Sequence, residues 1–62
     1  PFRFDSKEEI KKIEVFAPHG QQLFSFNNLE TNQFELNLPK GLYFIDVLLQ
    51  SGNHETLQVI IL

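Results

Sequence analysis

Apolar and polar residues alternate with a period of two along most of this chain, and the pattern is densest from Leu42 to Leu49. There Tyr43, Ile45, Val47 and Leu49 fall on one face and Leu42, Phe44, Asp46 and Leu48 on the other. A strand apolar on both faces belongs in the middle of a packed β structure. The segment ahead of it, Leu38-Pro39-Lys40-Gly41, reads as a turn: Pro39 has no N–H for a sheet ladder, and Gly41 tolerates a positive φ.

The same reading places further strands on both sides. Lys12-Ile13-Glu14-Val15-Phe16 alternates with Ile13 and Val15 inward and Glu14 outward. Ala17-Pro18-His19-Gly20 is a turn, and Gln21 to Phe26 returns as the second arm of a hairpin. Asn27 to Asn32 is a polar loop with Asx-type turn chemistry, followed by a strand over Gln33–Leu38 carrying Phe34, Leu36 and Leu38 on one face. Ser51-Gly52-Asn53 turns the chain into a last strand over Glu55–Leu62, with Leu57, Val59 and Ile61 on one face. Near the start, Phe2-Arg3-Phe4 alternates but is short. Asp5 to Lys11 is polar and lacks an apolar period. Ser6 and Glu9 have capping-box spacing, but the segment reads as a connection.

Turn signals recur about every ten residues, the spacing of a sandwich or barrel. The expected fold is therefore all-β, a single domain over residues 1–62. Two architectures fit: a small two-sheet sandwich, or a single curled sheet completed by another strand. The chain opens at Pro1, which reads as a segment of something longer. Missing residues that normally supply a strand would leave an open edge, and open edges invite pairing. The uncharged run Val59-Ile60-Ile61-Leu62 has strong β-propensity and would be sticky there.

With 62 residues the chain buries only roughly 60% of its unfolded surface. Short chains often add disulfides or a metal, but with no cysteine neither a disulfide nor a thiolate metal site is available. The apolar content sits instead in seven Phe and one Tyr, rings that bury much area per residue. A net charge of -3 argues against nucleic acid as a partner. Lys7, Lys11 and Lys12 are neutralised by Glu8, Glu9 and Glu14, leaving no basic stripe for phosphates. No apolar run approaches the roughly 20 residues that span a bilayer, so membrane insertion is not expected.

Catalytic and metal-binding patterns are weak. His19 and His54 fall in turns without the further ligands zinc needs. Asp46 is the sole charge in the 42–49 run. It would be a candidate acid or base if buried beside a histidine, but its face is expected to be partly exposed or the carboxylate paired with a neighbouring Lys. Ser6, Ser25 and Ser51 lack the context of an activated nucleophile. Asn27, Asn28, Glu30 and Asn32 offer oxygens in one loop without a calcium-loop pattern. Phe16, Phe24, Phe26 and Phe44 are expected mainly in the core; two or more exposed together would mark an interface. The chain is accordingly read as a non-enzyme without cofactor.

A more specific reading comes from resemblance. Ile13-x-Val15-Phe16, a turn ending in Gly20, Gln21-x-Leu23, Phe34-x-Leu36, Leu38-Pro39-Lys40-Gly41-Leu42-Tyr43, Ile45-x-Val47 and Ser51-Gly52 occur in that order. The set resembles the C-terminal sorting domain of type IX secretion cargo proteins in Bacteroidota, over about Phe2 to Val59. That resemblance implies a small immunoglobulin-like β-sandwich of about five to seven short antiparallel strands, at the C-terminus of a longer protein. It implies passage through the periplasm to the cell surface or medium. The implied partners are secretion machinery proteins or the cargo's own upstream domains. Self-association through an open sheet edge is a further expectation. Gly20, Gly41, Tyr43 and Gly52 are expected to define the fold, and Leu57, Gln58, Val59, Ile60, Ile61 and Leu62 to form the contact strand. A structural or adhesive immunoglobulin-like domain of a secreted or surface protein is the alternative.

Overall fold

In a computed structural model, residues 2–62 are described, and they form five antiparallel strands. These are β1 (Phe2–Phe16), β2 (Gln22–Phe26), β3 (Thr31–Leu36), β4 (Gly41–Leu49) and β5 (His54–Ile61). They make one open sheet in the order β2-β1-β4-β5, with β3 also pairing β1. The all-β expectation holds, and β4 lies inside the sheet between β1 and β5, as its two apolar faces require.

The first strand departs from expectation. Asp5–Lys11 is not a connection but the middle of the 15-residue β1. Its early part, Phe2–Asp5, pairs with β3, and its late part pairs with β2 on one edge and β4 on the other. Register shifts between Asp5 and Ile10 and between Ile10 and Lys12 separate the two parts. The second shift sets Ile10 opposite Leu49 and Lys12 opposite Leu48, leaving Lys11 as an extra residue. A bulge of this kind changes which residues face inward. Even-numbered residues face in up to the fully buried Ile10, and odd-numbered Ile13 and Val15 face in beyond it. The polar middle of β1 is held by the β4–β5 turn. The Gln50 N–H donates to the Glu9 carbonyl at 3.0 Å, and the Ser51 N–H donates to Glu8 Oε1 at 2.6 Å. These bonds satisfy backbone groups that a bent strand would otherwise leave unpaired.

The core lies on one face of the sheet. It comprises Ile10, Ile13, Val15, Tyr43, Ile45, Val47, Leu49 and Val59. The ribbon made by the start of β1 and β3 carries Phe2, Phe4, Phe34 and Leu36 on a shared face, paired Phe2 to Leu36 and Phe4 to Phe34. All four pack against the core, together with Leu29, Leu38, Leu57 and Ile61. The ring of Phe34 meets Phe4 at 5.6 Å and Phe2 at 6.2 Å, the latter edge to face. Aromatic area thus covers a core that so short a chain could not otherwise close.

Two hairpin turns share one construction. Ala17 N–H donates to the Gln21 carbonyl and Gly20 N–H to the Ala17 carbonyl. Leu49 N–H likewise donates to the Asn53 carbonyl and Gly52 N–H to the Leu49 carbonyl. Each is a three-residue loop closed by a glycine with φ of +97°. That left-handed residue is what such loops require, which explains both Pro18-His19-Gly20 and Gln50-Ser51-Gly52. Gly41, with φ of +150°, opens β4 beneath the ring of Tyr43. The Tyr43 hydroxyl donates to the Pro39 carbonyl at 2.7 Å, tying the turn to the strand it starts.

Candidate functional site: the β5 edge and the outer face

β5 is the last strand in the sheet order, so one of its edges has no partner. Which backbone groups point that way follows from the turn. The Leu49 N–H bond to the Asn53 carbonyl makes that pair a hydrogen-bonded one. The register continues as Leu48 to His54, Val47 to Glu55, and so on to Gly41 to Ile61. Antiparallel ladders alternate hydrogen-bonded and non-bonded pairs. Glu55, Leu57, Val59 and Ile61 therefore bond to β4, while His54, Thr56, Gln58 and Ile60 aim their N–H and C=O groups outward.

The side chains divide the same way. Leu57, Val59 and Ile61 pack on or against the core, as expected, and the side chains of His54, Thr56, Gln58 and Ile60 stand exposed on the outer face. Ile60 is 64% exposed and Leu62 98%. The open edge begins at His54, earlier than the expected contact segment 57–62. Edge position is a property of strand order, which local alternation does not carry.

Asp46 sits on the outer face, where Leu42, Phe44, Asp46 and Leu48 are all half-buried. Among the described residues no lysine pairs with it. It lies opposite Glu14 on β1 and Thr56 on β5. The imidazole of His54 lies beside it, with Nδ1 3.5 Å from Asp46 Oδ1 but forming no hydrogen bond, so among the described residues that buried oxygen has no donor. Lys12 instead reaches Glu14 at 3.8 Å. Like charges directly opposite on neighbouring strands are unfavourable, and a buried acceptor without a donor adds to the cost. Asp46→Thr is therefore expected to raise stability by about 0.5 to 1 kcal/mol, with Thr also suiting a strand. Urea denaturation checks this; a lower midpoint would show that the His54 contact outweighs both costs.

The other candidates are dispersed. His19 Nε2 lies 3.1 Å from Gln21 Oε1 in the β1–β2 turn, whereas His54 opens β5 opposite Leu48, so the histidines share no site. Asn28 takes a left-handed φ of 57° in the β2–β3 loop, while Asn32 belongs to β3. Ser51 Oγ lies 3.4 Å from the Asn53 N in the β4–β5 turn and Ser6 Oγ 3.2 Å from the Glu8 N within β1, both local contacts. Among the described residues no group of three or more His, Cys, Asp and Glu side chains is placed to hold a metal ion.

The phenylalanines correct an expectation. Phe24 and Phe26 lie opposite Val15 and Ile13 on the core side of β2, yet are 46% and 39% exposed and stack on each other at 6.4 Å. β2 is an edge strand, and the covering ribbon does not enclose their rings. A register shift between Val15 and Phe16 leaves Leu23 as an extra residue, also exposed. Phe16 and Phe44 are cross-strand neighbours on the outer face. None of the four belongs to the buried core. Glu8, which clamps the β4–β5 turn, is a structural residue that local pattern did not reveal.

Compared with known proteins, the chain matches no family model, no curated protein and no solved structure.

Proposed function

We propose that this chain is a non-catalytic recognition domain that directs an attached cargo through type IX secretion, with β5 as its contact strand. In this reading the fold is a small immunoglobulin-like sandwich in which the β1–β3 ribbon acts as the second layer. The observation that carries it is the free, uncharged edge of β5 beyond Glu55, a template for an added strand that backbone bonds hold and side-chain pockets select. The packing of Phe2, Phe4, Phe34 and Leu36 over the core supports the two-layer reading. The partners are machinery proteins met in the periplasm and at the outer membrane, and the destination is the cell surface or medium.

The test fuses residues 1–62 to the C-terminus of a reporter bearing a signal peptide, in a type IX-competent host. The reporter is expected outside the cell. Gln58→Pro should hold it in the periplasm, because that substitution removes an outward N–H without breaking a bond to β4. Periplasmic retention of the unmutated fusion, with the domain folded, would sink the proposal. The structural or adhesive alternative draws on the exposed Phe24–Phe26 pair. Under it, the reporter stays inside, and replacing the pair by Ser abolishes adhesion of the purified chain.

A further inference from the structure

We infer that the β5 edge binds a second copy of this chain, forming a two-fold dimer in which the sheet runs unbroken through an antiparallel β5–β5 seam centred on Leu57. The inference does not depend on the sorting reading and concerns the free chain in solution.

In the β4–β5 ladder the backbone groups of His54, Thr56, Gln58 and Ile60 point outward. This set is symmetric about Leu57. An antiparallel copy in that register pairs His54 with Ile60 and Thr56 with Gln58 of the second copy, and both pairs recur on the other side of the axis. Every outward N–H and C=O within β5 then finds a partner. Sliding the register by two residues toward the turn leaves Ile60 without a partner, and sliding it the other way pairs His54 only with Leu62, beyond the end of β5.

Side chains agree with this register. A two-fold axis normal to the sheet keeps both core faces on the same side, so Leu57 meets its own copy beside the core. Leu57 falls in a non-hydrogen-bonded pair, the closer of the two kinds, where apolar contact is greatest. On the outer face Ile60, 64% exposed in the single chain, gains the imidazole of the copy's His54. The sole charged side chain of the strand, Glu55, falls opposite the copy's Val59, so no like charges oppose. The edge also lacks the devices that normally block such pairing: β5 has no proline, no lysine and no bulge against β4.

Cysteine chemistry tests partner and register together, because the chain has no cysteine of its own. In the proposed dimer the two Leu57 Cα atoms lie about 4.5 Å apart, within disulfide reach. The two Glu55 Cα atoms lie about 14 Å apart, out of reach. Leu57→Cys is expected to oxidise to a covalent dimer at least tenfold faster than Glu55→Cys. Sedimentation equilibrium of the unmodified chain should give the mass of a dimer, and Gln58→Pro should give a monomer with the same β-sheet circular dichroism. A chain that is monomeric up to millimolar concentration, folded or not, overturns the proposal. So do equal crosslinking rates at the two positions, or a Gln58→Pro chain that folds and remains dimeric.

Discussion

Ile45→Ala is expected to cost about 3 to 4 kcal/mol, the larger part of the stability a chain of this length has. Ile45 is fully buried, sits at the centre of β4, and is flanked across the sheet by Val15 and Leu57. Truncation there loses the transfer free energy of the removed carbons. It also leaves a cavity that rigid strands on both sides cannot collapse into. Native domains hold only about 0.05 to 0.15 kcal/mol per residue, and small ones bury proportionally less surface. The urea midpoint should therefore fall by about 3 M, given a slope of about 1 kcal/mol/M for a small domain. Ile60→Ala, at a position 64% exposed in the single chain, should stay within about 0.5 kcal/mol of the parent at concentrations too low for the chain to pair. Equal losses at the two positions would mean that the core face has been assigned to the wrong side.

Tyr43→Ala is expected to cost at least as much, about 3 to 5 kcal/mol, for two separable reasons. The ring is 8% exposed and packs in the core cluster, so its removal opens a large void. Its hydroxyl also holds the Pro39 carbonyl and hence the turn that starts β4. Tyr43→Phe keeps the packing and removes only that bond, for an expected loss of about 1 kcal/mol. For a domain of this size such a loss lowers the melting temperature by about 4 to 8 °C. Circular dichroism is the measurement, since Tyr43 is the one tyrosine and there is no tryptophan, so its replacement leaves only the weak emission of phenylalanine. A Tyr43→Phe variant as unstable as Tyr43→Ala would place the weight on the hydroxyl rather than on the ring.

The predicted strands lie where alternation was strict. β4 and β5 fall within one residue of their expected starts and ends, and the inward set Tyr43, Ile45, Val47 and Leu49 is the buried set. β3 begins and ends two residues earlier than alternation suggested, because Thr31 already pairs with Ile10. The long β1 was legible only in its two ends. Ile10 and Ile13 both reach the core, a spacing of three that no regular strand explains, and the bulge at Lys11 reconciles it. A bulge depends on what the neighbouring strands bond to, and here those neighbours are Leu49 and the loop at Leu29, far along the chain.

The candidate site divides in the same way. That residues 57–62 form an uncharged strand with Leu57, Val59 and Ile61 on one face was written in their order along the chain. That this strand ends the sheet, with free backbone groups beginning at His54, was not. Nor was the exposure of Phe24 and Phe26, whose alternation is the same as that of buried residues. By itself the sequence determined the all-β class, the turn chemistry at Gly20 and Gly52, and the inward faces of β4 and β5. Each depends on a residue and its immediate neighbours, through φ preference or period-two burial. Only the tertiary structure decided strand order, the bend of β1 over the core and which edge is left open. Those follow from pairings between residues distant in sequence, whose free energy no local window contains.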